Sequence, residues 1–158
     1  MESFDSFSDD IQERNMEKMN DNSEIEIRNL GRVQYLDLGH RYYIVIAQSE
    51  EYLDHLYDCH FFDDNGDFLE GYEGFWFDER QFLLMEKYFF NFIDKECNLI
   101  ITMYEEEFAE PEILPQVLDI VDRQIKNCDN DEVLELAKQL RNIVIKAIEV
   151  SSPVGFCF

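Results

Sequence analysis

Between Arg41 and Arg80 the chain has no lysine and no arginine, and a second stretch from Glu96 to Asp122 has none either. No apolar run approaches the roughly 18–20 residues of a membrane span. The densest, Phe82 to Ile93, is broken by Glu86, Lys87 and Asn91. The opening MESFDSFSDDIQE has neither the basic start nor the apolar stretch of a secretory signal, so we expect a cytoplasmic protein. Cys59, Cys97, Cys128 and Cys157 are widely spaced with no C-x-x-C pair; a disulfide is the alternative to the four buried, reduced thiols we expect. No G-x-S-x-G, Walker-type loop or G-x-G-x-x-G occurs, and Gly71-Tyr-Glu-Gly74 matches no phosphate loop. Cysteine nucleophiles need a positive neighbourhood to lower the thiol pKa, and the balance here is the reverse. These absences speak against a dedicated enzyme and leave no cofactor to assign.

Metal chemistry fares little better. Asp63, Asn65 and Asp67 stand at the first, third and fifth places of a calcium loop, but the sixth is Phe68 and the twelfth is Gly74, which excludes an EF-hand. His55, Cys59 and His60 offer soft ligands without a fourth partner at metal-site spacing, so the sequence assigns no metal. His40 reads as a solvated turn residue.

What the chain has is acid. It carries 36 acidic against 13 basic side chains, a formal charge of −23 over 158 residues. Such a balance repels nucleic acid and keeps a protein soluble. Acidic chains poor in aromatics read as disordered, but here 15% of residues are aromatic and 46% hydrophobic, enough for one domain with a real core. In the first cation-free stretch, acids interleave with Tyr52, Tyr57, Phe61, Phe62, Phe68, Tyr72, Phe75, Trp76 and Phe77.

Residues 1–24 read as a flexible polar leader and 25–158 as a single domain. Alternation suggests strands at Ile25–Leu30, Val33–Leu38 and Arg41–Gln48, the last two joined by a Gly39-His40 turn and the last central in its sheet. Leu53–Phe62 and Phe68–Phe77 flank Asp63-Asp64-Asn65-Gly66-Asp67 as a hairpin, with a helix over 50–58, started at Ser49, as the alternative for the first arm. Asp78-x-x-Gln81 caps a helix with Phe82, Met85, Phe89, Phe92 and Ile93 inward, up to about Asp94. A short buried strand follows at Asn98–Tyr104. A helix then begins at Pro111 or Pro115, with Leu114, Val117, Leu118, Val121 and Ile125 on one stripe. Asp129-x-x-Glu132 caps a last helix to about Val150, with Val133, Leu136, Ala137, Leu140, Ile143, Val144 and Ile148 inward. Val154–Phe158 reads as an edge strand. The whole is α+β: a mainly antiparallel sheet with about three helices packed on one face.

The charged and aromatic FFDDNGDFLEGYEGFWFDE, the segment LIITMYEEE, the helices after EPEILP and the terminal PVGFCF together resemble the acidic immunity proteins of bacterial toxin–immunity systems, including those of contact-dependent inhibition. The resemblance is one of whole-chain character beyond about residue 25. It implies tight neutralisation of a cognate toxin, commonly a basic nuclease, and carries over no individual residue.

The charge pattern itself points to a basic protein partner, with no direct binding of nucleic acid and no membrane. The expected contact residues are Asp58, Asp63, Asp64, Asp67, Glu70, Glu73, Glu105, Glu106 and Glu107, with Tyr72 and Trp76 as aromatic anchors. The alternative is a nucleic-acid mimic of the anti-restriction or anti-CRISPR kind, with carboxylates in phosphate-like rows. A small acidic metal-dependent hydrolase would need a concave pocket with convergent acids and a bound ion.

Overall fold

Tyr42-Tyr-Ile-Val-Ile-Ala47 alternates aromatic and β-branched side chains with no polar face, and it forms β1 (Tyr42–Ala47), all six residues buried. The computed structural model describes residues 41–157. The polar leader, the strands expected at 25–30 and 33–38 and the Gly39-His40 turn lie outside the described residues. The sheet has β2 (Tyr72–Phe77), β3 (Glu107–Ala109) and β4 (Val154–Cys157) in the order β2-β1-β4-β3, every pair antiparallel. β1 is central, as its composition requires. β4 is not an edge strand: its four residues are buried and it sits between β1 and β3.

One face of the sheet carries Tyr42, Ile44, Ile46, Phe75, Phe77, Val154 and Phe156 against α2 (Glu79–Met85), α3 (Asn91–Cys97), α4 (Leu114–Asn127) and α5 (Asp131–Val150). The other face carries Tyr43, Val45, Ala47, Tyr72 and Cys157. It is covered by α1 (Leu53–Tyr57) through Leu56 and by Phe61. Residues 41–157 thus form an α+β domain with the main helices on one face and a thin loop layer on the other. No helix among the described residues is long and apolar enough to cross a membrane.

The Asn65-Gly66 turn forms, with Asp63 N–H donating to Asp67 C=O (2.8 Å), Gly66 at φ +82° and a single bridge between Phe62 and Phe68. Beyond that bridge the expected arms do not pair with each other. Residues 50–57 make a short 3₁₀ turn and then α1, the helical alternative, with Ser49 at the cap position but no side-chain cap bond. The second arm leaves the turn to become β2, which pairs with β1 instead. The reason is the helical spacing of Tyr52, Leu53 and Leu56, which pack against the second core cluster.

The capping box at Asp78 and Gln81 is made in both directions. A five-residue π segment, Glu86–Phe90, then joins α2 to α3. Its extra residue lets adjacent Phe89 and Phe90 both face the core and turns the expected Phe92 outward. Pro111 opens a 3₁₀ turn and Pro115 lies in the first turn of α4, so both prolines sit at helix starts. Asn130, rather than Asp129, caps α5: its side chain accepts from Val133 N–H at 3.1 Å. Ala147 replaces Ile148 in the core.

Asn98–Tyr104 is not a strand. Ile101 N–H donates to the Asp94 carboxylate (3.0 Å) and Ile100 N–H to Glu107 (2.9 Å). Donors captured by side chains cannot build a ladder, and the short strand begins three residues beyond Tyr104, at β3.

Cys59, Asn98 and Ser151, the non-glycine residues at positive φ among those described, each end a helix in the left-handed region. A Cβ there costs roughly 1–2 kcal/mol, less for Asn. Exposed Ser151→Gly should therefore stabilise the domain by about 1 kcal/mol, raising Tm by roughly 4 °C, while Asn98→Gly should change Tm little. Thermal melts of the two variants check this.

Candidate functional site

The ion pairs separate the two layers. Arg80 pairs with Glu132, Arg123 with Glu96, Arg141 with Asp122 (2.6 Å), Lys138 with Glu135 (3.3 Å) and Lys146 with Glu73. Apart from Glu73, every acid in these pairs lies on the helical elements. Among the described residues, no carboxylate from 50 to 70 forms an ion pair. Among the described residues, ion pairing is thus confined to the helical elements and Glu73.

Asp58, Asp64, Asp67 and Glu70 are exposed on that layer. Asp63 is exposed as well, but its Oδ1 accepts from Asn65 N–H (2.9 Å) and Asp67 N–H (3.0 Å), so it shapes the turn. Glu73 points to the helical face and pairs with Lys146. Tyr72 is no anchor: it is buried, and its hydroxyl donates to the Tyr52 carbonyl at 2.9 Å. β2 alternates, so Tyr72 and Trp76 face the loop layer while Phe75 and Phe77 enter the main core.

Trp76 is 47% exposed, and the Arg41 guanidinium lies 4.0 Å over its ring. Arg41 also donates to Gly66 C=O (2.8 Å), which accepts from the Tyr43 hydroxyl too (3.0 Å). One cation thus anchors the acidic turn beside the tryptophan. An open groove of about 320 Å³ runs there, lined by Gly66, Asp67, Phe68, Gly74, Trp76 and Gln139 among others. Among the described residues Asp67 is its one carboxylate, and no pair of titratable groups converges in it.

Glu105 and Glu106 are exposed, and Glu107 is held by backbone donors. The two cation-free stretches do not meet at β2, because β2 and β3 stand at opposite ends of the four described strands. They meet at the end of α1. Tyr57 packs on Phe108 (ring centroids 4.9 Å) and donates to the Glu110 carboxylate (2.8 Å). Burial, reinforced by Glu110, pushes the Tyr57 hydroxyl up to about 12. Asp58 and Glu106 both act on the Cys59 thiol there.

Cys59 and Cys157 share a hydrogen bond with sulfurs 3.3 Å apart, which lowers the pKa of Cys59 against the opposing effects of burial, Glu106 and Asp58; the same bond and burial raise that of Cys157. Only Cys157 is fully buried, the other three thiols being half-buried. Sequence reasoning missed Tyr57, Phe62 and Leu69, each about two-fifths exposed among the acids. Their interleaving with Asp was the available signal. No family model matches the chain, and no curated protein or solved structure compared with it matches.

Two outcomes follow from these geometries. Mild oxidation with diamide should link Cys59 to Cys157 within one chain and leave Cys97 and Cys128 open to alkylation, as read by peptide mapping. Burial, with repulsion from Glu107 and Glu86, pushes the Asp94 carboxyl up to about 6, against the pull of the Ile101 N–H. Its folded value lies above the unfolded one, so its contribution is present at about pH 4 and is lost as pH rises through about 6. Asp94→Asn keeps an acceptor for Ile101. It should be more stable than the parent at pH 7.5 by about 1 kcal/mol, a figure reduced for solvent screening. The difference should vanish near pH 4.5 in denaturant titrations.

Proposed function

We propose that the protein is a non-catalytic, cytoplasmic binding protein that neutralises a basic protein partner, in the manner of an immunity protein acting on a toxin nuclease. The observation that carries this reading is the segregation of charge. Among the described residues, four acids of the helical layer pair with helical cations, whereas no carboxylate from 50 to 70 forms an ion pair. Exposed Tyr57, Phe62, Leu69 and Trp76 stand among those carboxylates. Aromatic anchors inside a charged rim suit a protein interface. A phosphate-mimicking row has no use for apolar side chains at its centre, which favours a protein partner over a nucleic-acid groove.

Within this reading Asp64, Asp67 and Glu70 steer the partner and Trp76 anchors it, while Asp63 and Arg41 hold the turn that presents them. Opposite charge at the rim acts mainly on association. The test is growth protection and binding kinetics against a basic nuclease toxin domain encoded next to this chain's gene. Asp64→Asn, Asp67→Asn and Glu70→Gln together should slow association by about tenfold or more at low salt, a difference that shrinks as salt rises. Trp76→Ala should speed dissociation, with a loss of about 2 kcal/mol or more. If neighbouring toxin domains neither bind the parent chain nor are neutralised by it, the reading fails.

A further inference from the structure

The chain reversal after α1 brings together three metal-binding side chains that are not evenly spaced in sequence. Asp58 ends the helix at φ −84° and ψ 0°, and Cys59 turns left-handed at φ +60°. Cys59 N–H then donates to Leu56 C=O (3.0 Å) and His60 N–H to His55 C=O (2.8 Å). This pair of bonds is a Schellman ending. It sets the residue two beyond the cap against one in the last helical turn, a contact commonly made by two apolar side chains. Here both are imidazoles, with ring centroids 6.3 Å apart and planes at 35°. Asp58 adds a carboxylate. One ligand atom from each of His55, Asp58 and His60 lies within 4.8 Å of the others, all three side chains exposed.

We propose that His55, Asp58 and His60 bind a late first-row divalent cation, Zn²⁺ being the type. Two imidazoles and a carboxylate suit zinc, cobalt or nickel, whereas Mg²⁺ and Ca²⁺ favour oxygen donors throughout. Tetrahedral ligands around zinc stand about 3.3 Å apart, from metal–nitrogen distances of about 2.0–2.1 Å. Rotation of three exposed side chains supplies that contraction, because the Schellman bonds already fix the backbone. Cys59 is not a ligand, since its sulfur is turned toward Cys157. That is why grouping Cys59 with the histidines finds no site: the third donor is the neighbouring carboxylate. Glu106, which acts on the adjoining Cys59 thiol, adds negative potential. Three protein donors leave a position open to water or to an atom from outside the chain. The site stands independently of any partner.

The test is calorimetric titration of the full chain with ZnCl₂ and, separately, MgCl₂ at physiological ionic strength, together with visible absorption on adding Co²⁺. One Zn²⁺ should bind per chain, and Co²⁺ should give d–d bands. His55→Gln and His60→Gln should each weaken Zn²⁺ binding by about tenfold or more and abolish the bands. Glu50→Gln with Glu51→Gln should leave both unchanged. If the histidine variants, folded by circular dichroism, bind Zn²⁺ as the parent does, or if equimolar Mg²⁺ displaces it, the chain holds only a diffuse counter-ion cloud and the proposal falls.

Discussion

A strand with no outward face must be covered twice, and the rest of this structure follows from β1 being such a strand. Its even side, Tyr42, Ile44 and Ile46, draws in four helices. Its odd side, Tyr43, Val45 and Ala47, has to be sealed by whatever remains between β1 and β2. That remainder is an acid-rich segment, which meets the demand with few apolar contacts: Leu56 and Phe61 at full burial, with rings of Phe62 and Phe68 against Tyr43 at 5.0 and 5.6 Å. The carboxylates between these residues have nowhere to go but outward. The acidic face is thus the solvent side of a lid over the sheet.

Magnitudes explain why so uneven a charge distribution is tolerated. Exposed ion pairs contribute about 0–1 kcal/mol each, whereas burying one large apolar side chain contributes roughly 1.5–3 kcal/mol. The rings of Tyr42, Phe77, Phe82, Phe90 and Phe156 pack in one chain of contacts with centroids 5.1–6.4 Å apart. Cohesion of this kind does not depend on where the charges sit. The loop layer can remain uncompensated without unfolding the sheet beneath it.

What could be read from the residues was whatever depends on neighbours in sequence. β1 was legible from its aromatic and β-branched run, the start of α2 from Asp78 and Gln81, and the turn from Asn65-Gly66. Errors arose where a distant group intervened. Asp94 and Glu107 take the N–H groups of Ile101 and Ile100 and so cancel a strand that Leu99–Met103 would suggest. The π segment shifts the apolar stripe by one residue, which no 3.6-residue period anticipates. At the candidate site the acids were legible as a class. Which of them are committed was not: Asp63 to its turn and Glu73 to Lys146 are facts of three-dimensional placement. Tyr72 looked like Trp76 in sequence and differs from it by facing Tyr52 rather than solvent.

The position of β4 bears on how the chain is made. Tyr43 is paired with Cys157 across nearly the whole described length, so the middle of the sheet is completed by the last of its four described strands to be synthesised. Among the described strands, β1 until then has a partner on one side only, and β3 has none. Non-local closure of this kind is slow, and the waiting intermediate exposes β1 with one edge bare. A dense negative charge is then useful during synthesis as well as afterwards, since nascent chains that repel one another do not pair their open edges.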